Sequence, residues 1–236
     1  MISRSKHTIQ LAACSAALLA AGTASADSVD VRFDGVNPGE RVRVYLDTDG
    51  NGTYDYNKKI TAGVMNWTNL DTGDDFDTFC IELTQYISHD QVAEYQMHDD
   101  ITAAPRTDGV VITDNKADLL GAFWGQFRDL VVDSDTASAF QVGIWEIVYD
   151  GDDALDIGYG NGNFAVSGHS YYADTRGIAN QWLNDLDLNG PSANLRTLSN
   201  SWKQDQITDV PTPGAAAAGL ALLGMTLRRR RRGNDS

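Results

Sequence analysis

Two side chains in this sequence could react with one another. Cys80 lies in Asp77-Thr78-Phe79-Cys80-Ile81-Glu82-Leu83, and Gln141 lies in Ser138-Ala139-Phe140-Gln141-Val142-Gly143-Ile144-Trp145. A thiolate is the strongest nucleophile among protein side chains, and a carboxamide becomes an acyl donor only when held close and away from water. Attack of sulfur on the Gln carbonyl would expel ammonia and leave an internal thioester. An amine or hydroxyl could then take the acyl group and release Cys80. The same residues have a plainer reading: a small buried hydrophobe, a solvated helix residue and a core tryptophan.

The ends of the chain bear on which reading holds. Residues 1–26 read as a secretion signal: Arg4, Lys6 and His7, an apolar run from Ile9 to Ala21, and the small-x-small site Ala24-Ser25-Ala26. Leu11-Ala12-Ala13-Cys14 has the outline of a lipoprotein box, but the apolar run continues past Cys14. Residues 210–236 mirror the leader. Pro211-Thr212-Pro213 breaks structure, Gly214 to Leu227 is apolar, and Arg228, Arg229, Arg230, Arg231 and Arg232 form a basic run. The apolar stretch is shorter than the ~20 residues of a comfortable membrane span, so it reads as a weak anchor with its arginines on the cytoplasmic side. This order resembles the PEP-CTERM sorting tag of Gram-negative bacteria. That resemblance implies an exosortase-type sorting enzyme as partner, the inner membrane as a station before processing, and delivery to the cell surface or extracellular matrix. Thr212 stands where the tag usually has Glu.

Trimming both ends leaves residues 27–209 as one extracytoplasmic domain, with a core of useful size. Eleven Lys and Arg then face 32 Asp and Glu, a net charge near −21. Such a surface repels nucleic acid and anionic membrane. Of the chain's two cysteines, Cys14 leaves with the leader, so Cys80 has no disulfide partner in an oxidising compartment.

The elements that must position the pair follow from periodicity. Val29 to Phe33, Arg41 to Leu46, Thr53 to Ile60, Phe76 to Ile87 and Gln91 to His98 read as strands, with Phe79, Ile81 and Leu83 on one face and Cys80 on the other. Asn115 to Val131 and Thr136 to Tyr149 have helical spacing, with Asp114 and Ser134 or Asp135 as caps. A strand at Phe164 to Ser167, a helix near Tyr172 to Leu188 and a strand at Gln204 to Thr208 complete the chain. Strands first and helices later give an α+β fold, with sheet or sandwich-like strands ahead of a helical C-terminal half.

With strand and helix in place, Phe79-Cys80-Ile81 and Gln141-Val142-Gly143-Ile144-Trp145 resemble the paired motifs of the thioester domains of bacterial surface adhesins. The resemblance implies a Cys80–Gln141 thioester supported by Phe79, Ile81 and Trp145. It further implies adhesin-like covalent attachment to a surface amine or hydroxyl, once per molecule and without enzymatic turnover. Phe140 stands where those adhesins have Thr, and Gly143 where they have Ala. The alternative is a non-reactive structural protein of the envelope or matrix, associated with exopolysaccharide.

Other candidates carry less chemistry. Asp47, Asp49, Asn51, Thr53 and Asp55 offer oxygens at the spacing of a Ca2+ loop, but Lys58 stands where a bidentate Glu belongs, and Asn-Gly between alternating runs also makes a hairpin turn. His89, His98 and His169 are scattered, without zinc-site spacing. The Gly-rich segment near Gly158 to Phe164 has no helix after it to cradle a phosphate. Glu82 and Glu146 could sit near the Cys–Gln pair as acid/base aids, but they are expected rather to face solvent.

Overall fold

The computed structural model describes residues 27–210. The expected leader, residues 1–26 with Cys14, and the tail residues Pro211, Thr212, Pro213 and Arg228 to Arg232 lie outside the described residues. Among the described residues, no helix is long and apolar enough to cross a membrane.

Strand β1 (Ser28–Leu46) alternates as its sequence requires. Val29, Val31, Phe33, Val42, Val44 and Leu46 are buried, and the residues between them turn outward. The two runs expected as separate strands are thus one, with register shifts between Phe33 and Gly35 and between Val36 and Gly39. At the second shift Gly39 meets Gly63 of the neighbouring strand so closely that a Cβ on either would strike the opposite backbone. That neighbour, β2 (Tyr56–Asn69), runs antiparallel from Leu46↔Tyr56 to Val31↔Asn69 and extends nine residues beyond the expected end at Ile60.

The remaining strands are β3 (Asp75–Cys80), β4 (Val92–His98), β5 (Phe164–Val166), β6 (Leu195–Asn200) and β7 (Lys203–Asp209). Neighbours run β2-β3-β7-β6-β4-β1-β5, and β1 also pairs with β2. The pairings therefore close on themselves through β1, β2, β3, β7, β6 and β4, with β5 appended to β1. The fold is α+β, as expected, and the strands expected at Phe164 to Ser167 and Gln204 to Thr208 are β5 and β7. β6 is the strand without a sequence signal: its polar Thr197 and Ser199 are buried in Leu-Arg-Thr-Leu-Ser-Asn, where apolar alternation would be sought.

Three helices complete the domain: α1 (Asp114–Phe127), α2 (Ser134–Asp150) and α3 (Ala173–Asp185). The caps are Thr113 for α1 and Asp133 for α2, each one residue ahead of the nearest expected position. Asp133 and Thr136 form a reciprocal capping box. Helix α2 is the buried element that fixes the site. Every residue from Ala137 to Asp150 is buried, because strands of the sheet pack on one side and α1 and α3 on the other. Ser138 locks it to the β1–β2 hairpin, accepting from the Glu40 N–H at 2.9 Å and donating to the Ala62 carbonyl at 3.0 Å.

Candidate functional site

Cys80 is the last residue of β3, paired with Gln206 of β7, and the chain leaves the sheet immediately after it. The strand expected to continue to Ile87 stops here. Phe79, Cys80, Ile81 and Leu83 are all buried, so the expected two-faced strand is enclosed on both sides. Gln141, on the second turn of α2, reaches this strand end. Its Oε1 accepts the Cys80 N–H at 2.9 Å and its Nε2 donates to the Cys80 carbonyl at 2.7 Å. Both ends of the carboxamide are therefore bonded to the backbone of one residue, Cys80. The structure thus brings together the two residues singled out by their chemistry, 61 positions apart.

One face of α2 continues the arrangement. Gln141, Trp145 and Tyr149 recur every four residues and so lie along one stripe of the helix. The Tyr149 hydroxyl accepts from the Leu83 N–H at 2.9 Å and donates to Asp108 Oδ2 at 3.2 Å. Asp108 forms an ion pair with Arg106, whose guanidinium also donates to the Ile81 carbonyl at 2.9 Å. On the other side, Ile81 N–H donates to the Asp205 carbonyl at 3.0 Å. Gln204 Nε2 donates at 3.1 Å to the Glu82 carbonyl, the same oxygen that accepts the Cys80 thiol at 2.8 Å. Four consecutive residues, Cys80 to Leu83, are therefore held by partners on α2, β7 and the 106–108 loop.

Arg106, Asp108, Tyr149, Gln204 and Asp205 were not expected at this site. Tyr149 could have been found by extending the four-residue spacing from Gln141 through Trp145. Arg106 and Asp108 lie in a loop without periodicity, and no local pattern points to them.

The electrostatics favour a neutral, protected thiol. Burial pushes the Cys80 thiol well above its usual range. The Glu82 N–H, 3.3 Å from Sγ, pulls the other way, and so does the Trp145 indole N–H, which is buried without a well-aligned acceptor and lies near the sulfur. Glu82 charge adds to the upward push, and Arg106 opposes it. Burial likewise raises the Asp205 carboxyl to about 7, against the Asn200 N–H that bonds its Oδ1 at 2.9 Å.

Glu82 and Glu146, expected to face solvent, are both fully buried. Glu82 Oε1 accepts from Thr84 and Thr107 at 2.8 and 2.7 Å, while Oε2 has no partner among the described residues. Glu146 Oε1 accepts from the Asp156 N–H at 2.6 Å, with Oε2 also unpartnered. Burial, with Asp150 close by, raises Glu146 to about 8. The exposed stripe expected on α2 does not exist, because the helix is enclosed all round.

Both departures from the adhesin motifs have a packing reason. Phe140 enters an aromatic cluster, 4.7 Å from the Phe79 ring centroid and 5.0 Å from that of Phe123. Phe123 in turn fills the space a Cβ on residue 143 would need, which leaves Gly as the residue that fits.

The loop from Asp47 to Asp55 is the β1–β2 hairpin connection. Asp47 accepts from the Asn51 and Gly52 N–H groups, Asn51 bonds Asp49 and Thr53, and Asp55 accepts from Thr48. The oxygens expected as Ca2+ ligands serve to close the turn. Among the described residues no group of three or more His, Cys, Asp or Glu is arranged to hold a metal.

The chain matches no protein-family model and no curated protein. Among solved structures it is similar to the N-terminal domain of the Streptococcus pyogenes pilus tip adhesin Cpa, at 14% identity over 73% of this chain and 93% of that one, with a TM-score of 0.38. A likeness of that size fixes neither chemistry nor partner for this chain.

Proposed function

We propose that this is an exported surface protein whose Cys80 and Gln141 condense to an internal thioester, through which it attaches covalently to a surface amine or hydroxyl. The observation that carries this reading is the pair of hydrogen bonds, 2.9 and 2.7 Å, joining the Gln141 carboxamide to the backbone of Cys80. In the reaction the sulfur forms a bond to Cδ of Gln141, the Cδ–Nε2 bond breaks, and the thiol proton leaves with the nitrogen as ammonia. Oε1 gains negative charge in the tetrahedral intermediate, and the Cys80 N–H already bonded to it stabilises that charge. The Cys80 carbonyl holds Nε2 in place for departure. Burial keeps water, the competing acceptor, from the acyl carbon.

Export and sorting rest on the leader and on the Pro211 to Arg232 tail, with an exosortase-type enzyme as processing partner. The attachment is made once, so the protein is not an enzyme in the sense of turnover.

Intact mass of the protein purified from the envelope tests the reading directly. A thioester lowers the mass by one ammonia, and methylamine adds to Cδ of residue 141, frees the Cys80 thiol and leaves the chain one CH2 heavier than the unreacted protein. Mature protein at full mass with a titratable Cys80 thiol would overturn it. The same spectrum reports whether the leader and tail have been removed.

A further inference from the structure

In a domain where Asp and Glu outnumber Lys and Arg almost threefold, four cations stand together on the β1–β2 hairpin. Arg43 lies directly across from Lys59, Val44 from Lys58 and Arg41 from Thr61. Like charges facing each other across an antiparallel pair repel. None of the four has a carboxylate within ion-pair distance among the described residues; the ion-paired cations are Arg32, His89, Arg106, Lys116, Arg128 and Arg196. Arg43 reaches only Asn57 Oδ1, and Lys59 lies over the Tyr171 ring.

Arg41, Lys58 and Lys59 border a groove of about 650 Å³ with no Asp or Glu in its walls. Tyr86, 76% exposed, and half-buried Tyr56 line it, with the amides of Gln85 and Gln204. Gln204 places the groove beside the sulfur, since its Nε2 bonds the carbonyl that also accepts the Cys80 thiol.

We infer that this groove binds a carboxylated polysaccharide. Cations answer the uronate carboxylates, amides and phenol hydroxyls answer the sugar hydroxyls, and the exposed Tyr86 ring offers a face for the apolar side of a pyranose. Arg41, Lys58 and Lys59 border the groove together, so several carboxylates repeating along one polymer can be met at once. The acidic remainder of the surface repels the same polymer, so binding is confined to this face.

The test reads binding independently of the thioester. Full-chain Cys80→Ala, which cannot form the thioester, is titrated with polygalacturonate, with dextran and with polyglutamate. Binding to polygalacturonate alone is expected. It should weaken on going from about 0.1 M to about 1 M salt, where the Debye length shrinks from about 10 to about 3 Å. Adding Lys58→Gln and Lys59→Gln should weaken it about tenfold without moving the unfolding midpoint. No binding, equal binding to dextran, or indifference to the two Gln substitutions overturns the inference, whatever the mass of the wild type. Preference for polyglutamate overturns it in favour of an acidic polypeptide.

Discussion

Tyr149 and Leu83 are joined by a 2.9 Å hydrogen bond from the Leu83 N–H to the phenol oxygen, two turns along α2 from the bonds between Gln141 and Cys80. One face of one helix therefore holds both ends of the segment carrying the sulfur. Tyr149→Phe leaves the Leu83 N–H buried without an acceptor, at a cost of about 1–3 kcal/mol. Chemical denaturation should show this loss. In the thioester reading, the fraction of molecules lacking one ammonia should fall as well. Unchanged stability would contradict the role given to the phenol.

A free Cys80 should be inert in the folded protein. With Gln141→Met, which keeps side-chain length but cannot react, burial still shields the sulfur and holds the thiol protonated near neutral pH. Labelling by a thiol reagent at about pH 8 should be more than tenfold slower than in denaturant. Equally fast labelling in both states would show that the sulfur is open to solvent.

Glu146 makes stability fall with rising pH. Its folded value is raised to about 8, whereas a free Glu titrates near about 4.3. The native state thus holds the proton longer. The contribution is complete below about pH 4 and is lost as pH climbs through about 8, by up to about 1.4 kcal/mol per pH unit. Asp205, raised to about 7, acts in the same direction. Glu146→Gln keeps an acceptor for the Asp156 N–H and removes the titration. Its unfolding midpoint should therefore drop less than that of the wild type between about pH 6 and pH 9. Parallel curves for the two proteins would rule Glu146 out.

Gly143→Ala should destabilise, although Ala is the better helix former. The propensity gain of about 1 kcal/mol is opposed by overpacking of about 1–3 kcal/mol against Phe123, a ring that cannot retreat because it stacks on Phe140 and meets Phe127. Adding Phe123→Leu should recover part of the loss, because the smaller side chain makes room for the new methyl. Additive effects in the double mutant would mean that the two sites are not coupled.

Much of the site was legible in local pattern. Helical spacing put Gln141 and Trp145 on one helix, four residues apart, and the same interval reaches Tyr149. Burial of Glu82 and Glu146 was not legible, since a carboxylate on an amphipathic helix or at a strand end reads as exposed. Strand β6 escaped for a related reason, because its buried residues include Thr197 and Ser199. The hairpin cations read one by one as surface charge, and only the register of β1 on β2 puts Arg43 opposite Lys59.

The sequence by itself determined an α+β chain of strong negative charge, with a Cys inside one apolar strand and a Gln in one helix, because alternation, period and composition are properties of neighbouring residues. Tertiary structure alone decided that these two would meet. That contact requires β3 to end at the Gln206 pairing, α2 to be enclosed on all sides, and Ser138 to fix its height against Ala62. Each condition depends on packing between segments far apart in the chain, and no local run of residues encodes it.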